Sequence, residues 1–537
     1  MRRHGAANNG LTLAIVSLIG IAALIFMLAS GGGQPDSDSI DPAESEPQAQ
    51  GPADANDNDG SPRSKKLVMY CAAGIKLPVE AAAKAYEEAF GVEIQLQYGG
   101  SGTLLNNLQI AEIGDLYLAA DTSYIKIARE KKLLAEAVPV GRIRPVIAIP
   151  KGNVHNIQSI DDLLKPDIKF ALANPDAASV GKATKKLLTK MDKWDEISEA
   201  CKVFKPTVNE LTSSVLIKSV DAAVVWDSQV KLHSDKLEMV HVPEFDAATK
   251  QITVGVLKWC NASAEALRFC RFLQAPAKGQ QYFDQFGIET IAGDEWSESP
   301  ELVLYSGGVN RLAIEETIKA FQHREGVAVK TVFNGCGILV ATIKANETQA
   351  PDAYFACDAS FMTAVQSQFQ PALTVAETDM VVITQKGNPL GIKDVRDLTK
   401  DKLKLGVANA EQSALGALTK KLFEGIKVAD SNLYAEIKQK KNIRVDSPTA
   451  DMLVNQLLVG GLDAAVVYRA NIASISEKLD FVDIREGNPK AVQPIAVNKQ
   501  STRPYLAQRL VDAIISTDSR ERFLSNGFRW RVPVEVE

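Results

Sequence analysis

The residues best placed to do chemistry in this sequence sit in three short turns. Residues 71–75, 99–103 and 119–122 each follow a short apolar run and precede a stretch with helical spacing. The first two carry glycine, and the second also carries Ser101; the third has no glycine but follows its strand in the same way. A turn of this kind presents backbone N–H groups at the positive end of a helix dipole, where negative charge is stabilised. The chemistry on offer is therefore capture of a small anion by N–H and hydroxyl donors. Any one such turn reads most simply as a turn, because glycine supplies positive φ without strain. Ser101 alone reads as a helix N-cap. Their recurrence after successive strands is what points to a site.

Other chemistries find little support. The five histidines, His4, His155, His233, His241 and His323, are scattered and have no ligand spacing, which argues against a zinc or iron centre. Asp227 and Asp176 could serve a metal, but as carboxylates near turns they read as solvated or capping groups. Asp121 and Asp358 read as helix caps. Cys71 is the one candidate nucleophile, and no histidine lies near it in sequence; no GxSxG motif has usable partners. No enzymatic activity and no cofactor are expected. A net charge of −6 argues against a nucleic-acid partner. It leaves room for a small anion, because a site can be positive through its N–H groups alone. The other cysteines are Cys201, Cys260, Cys270, Cys336 and Cys357. Cys260 with Cys270, or either with Cys201, can pair; buried free thiols are the alternative.

The elements that position these turns occur twice. Residues 67–75 (LVMYCAAGI) match 302–310 (LVLYSGGVN), and 98–103 (YGGSGT) match 333–338 (FNGCGI). Further pairs are 115–121 with 352–358, 149–153 with 384–388, 169–188 with 404–423, and 221–226 (DAAVVW) with 463–468 (DAAVVY). Blocks in one order at nearly fixed spacing mean a duplication of whole domains, 66–297 and 300–537, far larger than solenoid repeats. Within each copy strands alternate with helices, which predicts parallel α/β sheets with right-handed crossovers. The turns then meet at the C-terminal edge of the sheet, where open α/β sheets bind ligands.

The chain begins with a different kind of segment. Residues 11–30 (LTLAIVSLIGIAALIFMLAS) are uncharged and long enough to span a bilayer, with Arg2 and Arg3 before them. The positive-inside rule places residues 1–10 in the cytoplasm and the bulk of the chain outside. The apolar length favours an anchor over a cleaved signal peptide, for which cleavage near Ala29–Gly31 is the alternative. Residues 31–65 are Gly-, Pro-, Ser- and acid-rich and predict a disordered acidic linker reaching roughly 30–35 Å.

The blocks YCAAGIKLPVE, QYGGSGTLLNNLQ, GDLYLAAD, ALANPDAASVG and DAAVVW, taken together, resemble the type II periplasmic solute-binding proteins, and most closely the molybdate/tungstate-binding components of ABC transporters. The resemblance covers nearly all of both copies. It implies two tandem domains, each of two α/β lobes joined by hinge strands, preceded by one transmembrane helix. The first crossover is expected near Arg144–Pro150 and the return near Gln251–Leu257. It implies an oxyanion held by hydroxyls and N–H groups, with a membrane permease as partner. Carried over position by position, it gives Ala73, Gly74, Ser101, Gly102, Ala120, Ala178 and Trp226 in the first copy. In the second it gives Gly308, Val309, Cys336, Gly337, Cys357, Ser413 and Tyr468. The first turn of the family carries a serine hydroxyl, whereas Gly74 and Val309 offer only N–H. The first copy replaces the family's tyrosine by Trp226, which donates and cannot accept. The second replaces the serine by Cys336, which with Cys357 would form a disulfide across the pocket or act as a soft ligand. The first copy is thus the better oxyanion site.

Two roles follow from the resemblance: a transport receptor handing an oxyanion to a permease, or an anchored sensor or scaffold with a divergent ligand. Sulfate and phosphate would use the same N–H chemistry. A ferric-iron binder would need paired tyrosines, for which Tyr70 and Tyr98 are the candidates, both in strand-like runs.

Overall fold

The computed structural model describes residues 66–346, 350–487 and 489–533. The expected cytoplasmic N-terminus, membrane anchor and linker lie outside the described residues. Among those described, no helix is long and apolar enough to cross a membrane.

Each copy folds as two lobes. In unit one, the first lobe is a five-stranded sheet with Lys66–Ala72 paired in parallel to Glu93–Gly99 on one side and Leu116–Ala119 on the other. Lys250–Leu257 and Leu134–Ile143 complete it. The second lobe orders Val203–Lys205, Phe170–Ala173, Ala222–Trp226, Pro145–Pro150 and Leu237–Val240. The strands that open each lobe are parallel, as expected. The strands that carry the chain between lobes run antiparallel to them, so the sheets are mixed. The outward crossing falls at Arg144. The return crossing precedes Lys250, so residues 251–257 already belong to the first lobe.

Unit two repeats this plan with one difference. Its outward hinge is a single strand, Leu373–Gln385, which joins both lobes into one ten-stranded sheet. Its Met380 pairs with Tyr468 as Pro145 pairs with Trp226. Met380 N–H donates to the Pro489 carbonyl at 3.0 Å. Proline has no N–H to offer, so at Pro145 the ladder is interrupted and the strand splits.

The helices are amphipathic and pack their apolar faces on these sheets. The first helix of each unit, Lys76–Phe90 and Arg311–Glu325, ends on a left-handed glycine, Gly91 and Gly326. The second of these helices also joins the two units. Its last residue, Glu325, is fully buried. It accepts from Arg509 Nε at 2.9 Å and Nη2 at 3.0 Å, a two-pronged pair, and from Arg271 of unit one at 3.2 Å. Arg324 beside it reaches Glu136 of unit one at 2.9 Å. Asp294, in the connection between units, accepts from the N–H groups of Tyr505 and Leu506 at the start of helix Pro504–Ile514. The tandem units are therefore held by a buried charge network.

Burial pushes the Glu325 carboxyl up, but Arg509 and Arg271 outweigh it and hold the group below its ordinary value. Burial in turn pulls Arg271 down to about 10. Removing Glu325 leaves two buried guanidinium groups unpaired. Glu325→Ala is expected to cost about 3–5 kcal/mol in urea unfolding at neutral pH. Because the folded-state value is depressed, this stabilisation is complete above the unfolded value of about 4.3 and fades as pH falls through the folded one. The gap between wild type and Glu325→Gln should therefore narrow on acidification.

Candidate functional site

In unit one the three turns meet the second lobe around a small cavity. It is lined by Ala73, Gly74, Ser101, Ala120, Ala178 and Trp226, all expected from sequence, together with Gly100, Ser179, Thr207 and Val208. Helices Ser101–Ala111, Ser179–Lys190 and Val208–Leu216 all begin here. Gly100 and Ala178, the N-caps of the first two, supply no side-chain cap. Asp121 and Asp358, just behind the lining residues Ala120 and Cys357, cap their helices as expected, and Asn432 and Ser516 do so elsewhere. The first two cleft helices thus keep first-turn N–H groups for something else, while Thr207 caps the third by accepting from Glu210 N–H at 3.3 Å. No lysine or arginine lines the cavity. Ser101 is the first helical residue rather than the N-cap. Its Oγ accepts from Ala120 N–H at 3.3 Å, which leaves its own proton to donate inward. Trp226 is buried, and its Cδ1 edge would lie 3.5 Å from a Cβ placed on Gly74.

Unit two builds the same cavity from Gly308, Val309, Cys357, Ser413 and Tyr468, again with no cationic lining. Here helices Cys336–Ala345, Ala414–Gly425 and Ala450–Leu458 all start without a side-chain cap. Tyr468 is buried and its hydroxyl has no hydrogen-bond partner; its backbone N–H goes to Asn471 Oδ1 at 3.2 Å. Burial, with Asp358 adding to it, raises the phenol well above its ordinary value, so it remains a donor. Cys336 and Cys357 form a disulfide. It does not cross the cleft: both cysteines belong to the first lobe, at the positions of Ser101 and Ala120, and Cys357 reaches the cavity.

The lobes touch through backbone. Gly102 N–H donates to the Ala177 carbonyl at 3.0 Å and Gly337 N–H to the Gln412 carbonyl at 3.1 Å. These two N–H groups are committed to closure, and neither glycine lines its cavity. Unit one adds two amide latches. Asn209 Nδ2 donates to Ala73 O and Gln229 Nε2 to Gly74 O, each at 3.0 Å. Unit two has Asp451 and Asn471 at these positions, and there Asn471 Nδ2 turns to Asp451 Oδ1 at 3.4 Å. The cavities differ accordingly, about 10 Å³ in unit one and about 30 Å³ in unit two. One water needs roughly 10–15 Å³, so loading unit one with any solute larger than water requires its lobes to part.

The remaining candidates fall elsewhere. Cys71 is fully buried and burial pushes its thiol up, the opposite of an activated nucleophile. Cys201, Cys260 and Cys270 are unpaired: Cys201 packs in the second lobe's core, while Cys270 is buried within helix Ser263–Gln274 of the first. Asp227 is tied to Lys231 at 3.0 Å and to Arg144 at the hinge. Tyr98 donates to Glu80 at 2.7 Å, and neither it nor Tyr70 lines the cleft. No group of residues fit to hold a metal occurs among the described residues. Two contributors had gone unread, the helices starting at Val208 and Ala450. The first announces itself by the capping spacing of Thr207 and Glu210, whose backbone N–H Thr207 accepts.

Two lobes closing on a cavity ringed by helix N-termini define a solute-binding cleft, present twice. The chain belongs to the bacterial extracellular solute-binding protein family, whose model matches residues 67–289 and again 302–529. A binding protein of Haemophilus influenzae is 28% identical over 228 residues, covering 42% of this chain and 92% of the relative. The molybdate-binding protein ModA of Mycobacterium tuberculosis is 22% identical over 282 residues, covering 52% and 97%. Among solved structures, the periplasmic molybdate-binding protein of Azotobacter vinelandii aligns with a TM-score of 0.38 at 14% identity, over 42% of this chain and 99% of that one. The family is one of binding proteins, in keeping with the non-catalytic reading of the turns.

Each amide latch contributes about 0.5–1.5 kcal/mol to closure. The double variant Asn209→Ala/Gln229→Ala should loosen unit one alone. Hydrogen exchange is expected to accelerate in the 73–78 and 100–104 segments while 308–313 and 335–339 stay as in wild type.

Proposed function

We propose that this chain is an extracytoplasmic receptor that captures a tetrahedral oxyanion of the molybdate or tungstate kind and hands it to an ABC-transporter permease. Residues 11–30 would hold it at the cytoplasmic membrane, with both binding units outside. The observation that carries the reading is the meeting of uncapped helix N-termini on a cavity without a cationic side chain. Such a site favours an anion through N–H dipoles and hydroxyls, and it excludes cations, which would face the same positive ends. The molybdate-binding relatives at 22% identity support the ligand class. In unit one, Ser101 Oγ–H, the indole of Trp226, the N–H at Gly74 and the first-turn N–H groups of helix Ser179–Lys190 are the donors assigned to the ligand, the N–H of Ala178 itself being held by the Asn174 carbonyl at 2.9 Å. Closure of the lobes over it is the signal to the permease.

The test is isothermal titration of the full chain, purified in detergent, with molybdate, tungstate, sulfate and phosphate. Molybdate or tungstate should bind tightly, and Ser101→Ala should weaken that binding by about 1–3 kcal/mol, the loss of one charge-assisted donor. An unchanged affinity in the variant removes Ser101 from the site. Silence of molybdate and tungstate in wild type overturns the ligand assignment.

A further inference from the structure

The two clefts share a fold but differ in hydrogen-bonding character. Asn209 of unit one donates to the Ala73 carbonyl. Its counterpart Asp451 can only accept, and it lines the unit-two cavity with Gly308, the counterpart of Ala73, whose carbonyl also only accepts. Trp226 is a donor alone, whereas Tyr468 can donate and accept, and its buried hydroxyl is unpartnered. The hydroxyl that Ser101 offers is gone, replaced by the Cys336–Cys357 disulfide. What remains is three helix N-termini without side-chain caps, the Tyr468 phenol, the hydroxyls of Ser413 and Thr449, and at the rim the Asp451 carboxylate, to which Asn471 Nδ2 donates at 3.4 Å.

A fully deprotonated oxyanion brings acceptors only. In unit two its oxygens would meet the N–H groups and Tyr468, but one face would be set against Asp451, a like charge with no proton between them. An oxyanion that keeps a proton resolves this. Its O–H donates to Asp451, and its bare oxygens take the N–H groups and the phenol. A site with a carboxylate at its rim disfavours analogues that lack the proton, because their bare oxygens then face a like charge. We propose that the unit-two cleft is a second binding site selective for an oxyanion that retains a proton, of which hydrogen phosphate is the accessible probe. This rests on the reading of the clefts as oxyanion sites and separates their ligands.

The experiment is titration calorimetry of the full chain with phosphate, sulfate and molybdate, in wild type and in the Tyr468→Phe, Asp451→Asn and Ser101→Ala variants. Tyr468→Phe removes a hydroxyl that bonds to nothing, and Asp451 is exposed, so both variants should fold; thermal unfolding checks this. Phosphate binding should fall at least tenfold in Tyr468→Phe and in Asp451→Asn and be unmoved in Ser101→Ala. Molybdate should show the reverse pattern. Phosphate affinity unchanged in Asp451→Asn, or sulfate competing equally for the Tyr468-dependent site, overturns the proposal. Tyr468-dependent phosphate binding without any molybdate binding would retain it and remove the unit-one reading. Molybdate binding sensitive to Ser101, with no phosphate binding, would do the opposite.

Discussion

Gly100 and Gly335 stand where the backbone of the opposite lobe comes closest. A Cβ on either would lie 2.3 or 2.4 Å from the carbonyl oxygen of Ala177 or Gln412. Gly102 and Gly337 are hemmed in the same way, at 2.2 Å from Asp176 O and Glu411 O. Because side chains are excluded from this contact, the lobes can close backbone on backbone. That closure brings the N-termini of helices from both lobes around one point. The glycines of the second turn thus act first on lobe approach, and the ring of helix N-termini is its consequence. This also explains why the helices that follow Gly100 and Gly335 lack side-chain caps. A serine or aspartate at position 100 would satisfy the helix locally and fill the space the other lobe needs.

Closure has to be hinged, and the units hinge differently. Pro145 interrupts the ladder in unit one, while Met380 continues it in unit two. A proline break concentrates bending at Arg144, which is steadied by Asp227. An unbroken strand of thirteen residues spreads it. Against these moving parts the first lobes are fixed to each other by Glu325 and its two arginines. Burying those charges is compensated only by their mutual pairing, which demands one geometry. The two clefts accordingly share a common base, each covered by its own second lobe.

Much of this was legible in the residues. The duplication, the strand–turn–helix order and most of the cavity lining follow from blocks such as YGGSGT and DAAVVW, because local backbone chemistry is written locally. The parts that were not legible depend on residues distant in sequence. The direction of the hinge strands is set by where the chain re-enters each sheet, which periodicity does not encode. The Glu325 network looks in sequence like an ordinary helix-end charge, and only the packing of the units buries it. The role of Gly102 as an interlobe donor, rather than a ligand donor, depends on Ala177, which lies 75 residues further along the chain. The N-terminus of helix Ala450–Leu458 carries Thr449 without a reciprocal acid, so its part in the cleft left no capping signal.

The pattern of divergence between the units is itself informative. The exchanges Ser101/Cys336, Ala120/Cys357, Asn209/Asp451, Trp226/Tyr468 and Gln229/Asn471 fall on the cleft or its latches, beside others such as Cys71/Ser306 in the buried first strand. The elements that carry them are kept: the strands pair in the same register and the helices start at matching residues. A degenerate cleft would be expected to fill with apolar side chains once no ligand required its polar groups. Unit two instead keeps a polar lining in Ser413, Thr449, Asp451 and Asn471, and buries a phenol hydroxyl that no protein group satisfies. Such a group destabilises the fold by about 1–3 kcal/mol unless something fills the cavity and bonds to it. The duplicated scaffold therefore carries one lobe-on-lobe architecture supplied with two different sets of donors and acceptors.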